Sequence, residues 1–109
     1  MENVTVNEGK TAAIISYLWL IGLVIAFLMN STKKNSFTAF HIRQAIGLIA
    51  IHIIIFALER FLGIGMLAWI FDFGLLILWV IAIFGAIQGE EKRVPLLGDQ
   101  FQEWFKGIG

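Results

Sequence analysis

The chain has 109 residues, 59% of them hydrophobic, and its 8 basic and 8 acidic residues cancel. A soluble domain of this size would be closer to half apolar, and here the excess lies in long runs, which points to a polytopic membrane protein. The charge balance gives no electrostatic reason for nucleic acid or an acidic ligand, and the absence of cysteine excludes a disulfide framework, a thiolate nucleophile and a Cys-ligated metal. The expected class is all-α, a single membrane domain over residues 1–109.

The chain begins acidic, Met1-Glu2-Asn3, with neither a positive n-region nor a clear small-residue cleavage site. Residue 2 is Glu, so no lipidation motif is present. Thr11–Met29 is therefore expected to persist as the first membrane helix, about 11–30. It is uncharged, and at ~1.5 Å per residue it is roughly one hydrocarbon core long. Ser16, Tyr17 and Trp19 lie in its first half. Ala12 with Ser16, and Gly22 with Ala26, form small-residue pairs that allow close helix packing. Asn30–Asn35 reads as a polar turn with Lys33 and Lys34, and Ser36 as the N-cap of the next helix.

Phe37–Glu59 is the second helix, with a span of about 38–59. It is strongly apolar only from Ala45 to Leu58, so His41, Arg43 and Gln44 belong at the interface. At ~100° per residue, His41, Gln44, Leu48, His52, Ile55 and Glu59 share one stripe, which should face the bundle interior. Phe61–Gln88 is longer than one span needs, and Gly63-Ile64-Gly65 is a natural break. The third helix is expected at about 66–88. A competing reading makes Arg60–Phe71 a short re-entrant or interfacial fourth helix. Ala82, Gly85, Ala86 and Gly89 give the third helix a small-residue face, for which ordinary close packing is the favoured reading.

After the cluster Glu90-Glu91-Lys92-Arg93, Pro95 should stop any helix. Residues 99–108 carry Phe101, Trp104, Phe105 and Ile108 on one side, as in a short amphipathic helix lying on the membrane surface. Lys and Arg group by flank as Lys10, then Lys33, Lys34 and Arg43, then Arg60, then Lys92, Arg93 and Lys106. That alternation suits three spans in a bacterial inner membrane, with the N-terminus outside and the C-terminus cytoplasmic.

Arg60 and Asp72 are expected at one outer level and should pair across the turn, because an unpaired carboxylate there is costly. His52 falls near the midplane, where an imidazole could relay protons or bind an ion. An imidazole satisfied by a neighbouring polar group is the favoured reading. His41 and His52 lie ~16 Å apart along the axis and cannot share a metal. No metal or cofactor is expected. His41, Arg43 and Gln44 at the inner mouth suit a lipid phosphate, a partner's acidic group or simple anchoring. Glu59 and Asp72 imitate a catalytic carboxylate pair, but the neighbouring Arg60 suits a salt bridge better than acid–base work, so no catalytic residue is assigned.

The block Phe40-His41-x-Arg43-Gln44-Ala45, followed by an apolar helix and then by Gly89 and Pro95-Leu96-Leu97-Gly98, resembles a known family. These are the small bacterial membrane proteins related to the twenty-kilodalton component of the chloroplast inner-envelope protein import translocon. The resemblance runs from Ala12 to Gly98. It implies a compact helical membrane protein with a link to protein translocation or membrane-complex assembly, and it carries over no catalytic residue. The chloroplast relatives are described with four helices, where this reading has three and an awkward Phe61–Phe71 region.

The function expected is that of a non-enzymatic accessory or assembly subunit of a membrane complex. The alternative is a small homo-oligomeric transporter or channel using the polar stripe. Expected partners are the lipid bilayer and another membrane protein or a second copy, with no nucleic acid and no soluble small-molecule substrate.

Overall fold

The computed structural model describes residues 2–109, with side chains from residue 4 onward. The described residues form five helices: α1 Glu2–Ile15, α2 Trp19–Lys33, α3 Ser36–Leu62, α4 Gly65–Ile87 and α5 Gly98–Trp104. The chain is all-α, and α3 and α4 are long and apolar enough to cross a membrane. At ~1.5 Å per residue they measure roughly 40 and 34 Å.

The expected single helix over 11–30 does not form. Ser16–Leu18 break it, and the chain turns back on itself with Trp19 in the left-handed region at φ 62°. Tyr17 and Leu18 tighten the last turn of α1 with N–H bonds to Ile14 and Ile15, at 3.1 and 3.0 Å. A Cβ at Gly22 would run into the Ile15 carbonyl, so only glycine lets α2 leave so close to the end of α1. α1 therefore starts at Glu2 and runs alongside α3. Thr5 O accepts from Asn35 Nδ2 (2.8 Å), Gly9 O from Thr38 Oγ1 (2.9 Å), and the Tyr17 hydroxyl from Gln44 Nε2 (2.9 Å). α2 returns antiparallel, from Trp19 beside His52 to Asn30 beside Asn35. Each arm is only about 21–22 Å long, too short to cross a bilayer core of ~30 Å.

Asn35, not Ser36, caps α3: its side chain accepts from Thr38 N at 3.0 Å. Asn35 is held in turn by Asn30, whose Oδ1 accepts from Asn35 N at 2.7 Å and whose Nδ2 donates to Asn35 O at 3.2 Å. At the other end Gly63, with φ 64°, closes α3 and donates to Glu59 O at 3.0 Å. Ile64 then starts α4 at once, so no short helix occupies 60–71.

These contacts give the molecule two unlike ends. The start of α1, the end of α2, the start of α3, the end of α4 and the tail all meet at one end, called here the polar end. The other, the turn end, is the α3–α4 turn alone. The N-terminal segment thus lies at the same end of the molecule as Lys33–Asn35, not at the opposite one. Hydropathy counts miss this because a chain that folds back after half a span looks, residue by residue, like one that goes through.

The tail also departs from expectation. α5 ends at Trp104, and its Phe101 is buried against α3 instead of facing lipid. Gly47 makes room for that ring: a Cβ there would fall on the Phe101 side chain. Trp104 remains exposed, and Phe105 is half-buried. Gly85 of α4 and Gly89 in the turn just after it accommodate Lys92 and Val6 of this same chain. Replacing Gly47 by Leu should overpack this seat by ~1–3 kcal/mol and loosen the tail. Tryptic cleavage at Lys92, Arg93 and Lys106 is then expected to quicken by roughly tenfold, measured by digestion in detergent.

Candidate functional site

The polar end encloses a hydrogen-bonded chain of side chains in the core. His41 and Gln44 are wholly buried, and Tyr17 is nearly so. The proton positions follow from their partners. Glu90 O can only accept, so the His41 Nε2–H donates to it at 2.9 Å, and Nδ1 accepts from the Tyr17 hydroxyl. That hydroxyl accepts in turn from Gln44 Nε2 at 2.9 Å. Gln44 also donates to Lys92 O at 3.0 Å and accepts from Val94 N at 2.8 Å. Phe37 and Phe40 pack edge-on against the His41 ring, with centroids 4.7 and 5.0 Å away.

The local sequence explains the placement. One helical turn separates His41 from Gln44, so both point across α3 toward α1 and the returning tail. Residues 90–94 are not helical, so their backbone groups need outside partners. His41 and Gln44 supply them. The tail is pinned further by Gln102 Nε2 to Phe40 O (2.9 Å), Arg43 Nε to Ile108 O (2.9 Å) and Asn30 Nδ2 to Gly109 O (3.1 Å). Val94-Pro95-Leu96-Leu97-Gly98 forms a tight turn with Gly98 N bonded to Val94 O at 3.0 Å and Leu96 at φ 72°.

The predicted stripe divides along its length. His41, Gln44 and Leu48 are sealed, Ile55 is buried, His52 is half-buried and Glu59 is exposed at the turn end. Because Trp19 Nε1–H is a donor only, His52 Nδ1 accepts from it at 3.0 Å, which leaves the proton of the neutral ring on Nε2. Trp79, edge-on at 6.3 Å, flanks His52 and donates its own Nε1–H to Tyr17 O at 2.9 Å. His52 and Asp72 line one groove together with Leu75, Leu76 and Trp79.

The expected Arg60–Asp72 ion pair is not formed. Among the described residues the ion pairs are Arg93–Asp99 (2.7 Å) and Lys106–Glu103 (3.3 Å), both exposed. Asp72 Oδ1 is buried without any hydrogen-bond partner. The reason is angular. Asp72 sits on the stripe of α4 that includes Ala68, Leu75 and Ala82, all buried, whereas Arg60 projects from the exposed side of α3 with Phe56. Position along the helix axis says nothing about azimuth.

Sequence reading passed over Tyr17, Trp19, Asn30, Asn35 and Thr38 as site residues. The available signal was Ser16-Tyr17 inside an otherwise apolar run, where each polar group needs a partner. Comparison with protein-family models, curated proteins and solved structures finds no match to this chain.

Gln44 tests the network directly. Gln44→Leu keeps the bulk but leaves the buried Val94 N and the part-buried Lys92 O unpaired, for a loss of about 2–4 kcal/mol. Thermal unfolding in detergent should show a clear drop in Tm for Gln44→Leu. The drop for Leu at the half-buried His52 should be smaller.

Proposed function

We propose that the protein is a two-span integral membrane protein with both ends of the described chain on the cytoplasmic side, and that it serves as a non-enzymatic accessory or assembly subunit of a membrane complex. Two observations support the membrane part. Only 28% of the most apolar stretch of α3 and 22% of that of α4 is buried inside the molecule, leaving Phe56, Phe61, Met66 and Trp69 outward. A soluble core helix would have its apolar face covered. Of the 8 basic residues, Lys10, Lys33, Lys34, Arg43, Lys92, Arg93 and Lys106 lie at the polar end and Arg60 alone at the turn end. That asymmetry is steeper than the alternation read from the sequence, and it favours the polar end as cytoplasmic.

The observation that carries the subunit reading is the pinned tail. The buried polar residues of α3 are engaged with the chain's own backbone, which supports a structural duty for them. What they hold rigid is a cytoplasmic surface on which Leu96 is 95% exposed and Trp104 64%. Exposed apolar groups on a fixed backbone suit a protein contact, since little ordering entropy is lost on binding. A link to protein translocation is carried by the sequence resemblance alone. A second reading, a small homo-oligomeric conductor, draws on the groove that His52 and Asp72 share. A proton or ion flux in liposomes that vanishes in His52→Ala would favour it.

Single cysteines can be introduced freely, because the chain has none. Cysteines at Val4, Lys34 and Lys106 should be shielded from an impermeant outside reagent, and one at Gly65, where a side chain meets open space, should label. Labelling at Val4 from outside would sink the topology. Gentle extraction from native membranes followed by mass measurement should give a complex with another membrane protein in fixed ratio. Double replacement of Leu96 and Trp104 by Ser should release that protein. A wild-type preparation free of any other protein would count against the subunit reading.

A further inference from the structure

We infer that the turn-end half of the α3–α4 hairpin is a surface on which a second copy of this chain docks, with Arg60 of each protomer set against Asp72 of the other. The inference rests on the membrane reading above and is independent of the tail surface.

The α1–α2 hairpin reaches only as far as Trp19, beside His52. From His52 to Leu62 is roughly 15 Å of α3. Over that length α3 and α4 have only each other, in the half of the bilayer away from the polar end. Asp72 lies there. Neither of its oxygens makes a hydrogen bond, and Oδ1 is shut away from solvent. Beside it a groove of about 210 Å³ is lined by Trp69, Asp72, Phe73 and Leu76. A carboxylate flanked by an indole is a site for a guanidinium, which can bond the carboxylate and stack on the ring.

The cation is available in the same sequence. Arg60 is the sole basic residue of this half and makes no ion pair among the described residues. It lies beside a second cavity, with Phe56 and Glu59. A two-fold axis along the membrane normal keeps every residue at its own depth, so the two groups must nearly match in depth. Measured from the turn at Ile64, Arg60 is roughly 6 Å in and Asp72 roughly 12 Å in. Helical side chains lean toward the N-terminus of their own helix. α3 runs toward the turn, so Arg60 leans inward. α4 runs away from it, so Asp72 leans outward. The two side chains close the offset from both sides. Within one chain their azimuths keep them apart, but a second copy facing the first has no such restriction. The surface is then self-complementary, and one two-fold contact forms two Arg60–Asp72 pairs. Glu59 stays at the aqueous rim in this arrangement.

The test uses the full chain in membranes. Differently tagged Arg60→Cys and Asp72→Cys chains are co-expressed and oxidised, with a third chain carrying Ile70→Cys, exposed at nearly the same depth but on the opposite side of α4 from Asp72, as the lipid-facing control. The 60–72 heterodimer should exceed the 60–70 product at least tenfold. In parallel, the dimer fraction is read by single-molecule photobleaching in nanodiscs or liposomes. Asp72→Arg and Arg60→Asp should each lower it by tenfold or more, and the double exchange should restore it. Resistance of the tail to trypsin serves as the folding check for every variant, and Asp72→Asn, close to isosteric, stands in for any variant that fails it, again with a tenfold loss of dimer expected. Equal 60–72 and 60–70 products, wild-type dimerisation in both single charge variants, or no recovery in the double exchange would overturn the inference. Release of the chain from membranes by alkaline carbonate would overturn the membrane reading itself. A chain that stays in the bilayer as a monomer overturns only the dimer.

Discussion

The Gln44 amide is the point through which the polar end is connected. One side chain holds the Tyr17 hydroxyl, the Lys92 carbonyl and the Val94 N–H, and so ties the α1–α2 hairpin, α3 and the tail together in a buried place. Water cannot substitute for it there, because the residue is sealed. His41 extends the chain by one link to Glu90, through the same tyrosine hydroxyl. A fully satisfied network of this kind fixes one arrangement, because any alternative packing strands a donor or an acceptor in the core.

From this follows the unequal shape of the molecule. With Tyr17 drawn to His41 and Gln44, the first apolar run cannot continue across, and it returns as α2. Small residues make the return feasible: Gly22 under the Ile15 carbonyl, and Ala12, Ala13 and Ala26 buried within the bundle. One half of the length is therefore built from four packed helices and the tail, and the other from two helices alone. The polar end is dense in hydrogen bonds and basic charge. The turn end is apolar and thin, with a carboxylate that its own chain leaves unpaired.

The glycines show how closely the parts are fitted. Gly47 receives the Phe101 ring, Gly85 the Lys92 side chain and Gly98 the backbone at Arg93. In the sequence, Gly85 and Gly89 look like a seam for another helix. In the fold, they are where the tail leaves α4 and where α1 passes close by. Small-residue spacing records that something approaches closely, not what it is.

Much about this chain is set by local chemistry and can be read without a fold. Long apolar runs make it helical, the Gly63 turn separates α3 from α4, and the helical period puts His41, Gln44, Leu48 and Ile55 on the side of α3 that is buried. The same period gives the tail an amphipathic pattern, but it does not show that Gly47 offers Phe101 a seat in the protein. Only the tertiary structure decided the fold-back at Tyr17, the gathering of nearly all basic charge at one end and the separation of Arg60 from Asp72. The physical reason is common to all three. Hydropathy and period are properties of neighbours in sequence, whereas a turn without glycine at its corner or proline, and a charge without its partner, are settled by side chains that meet only after the chain has folded.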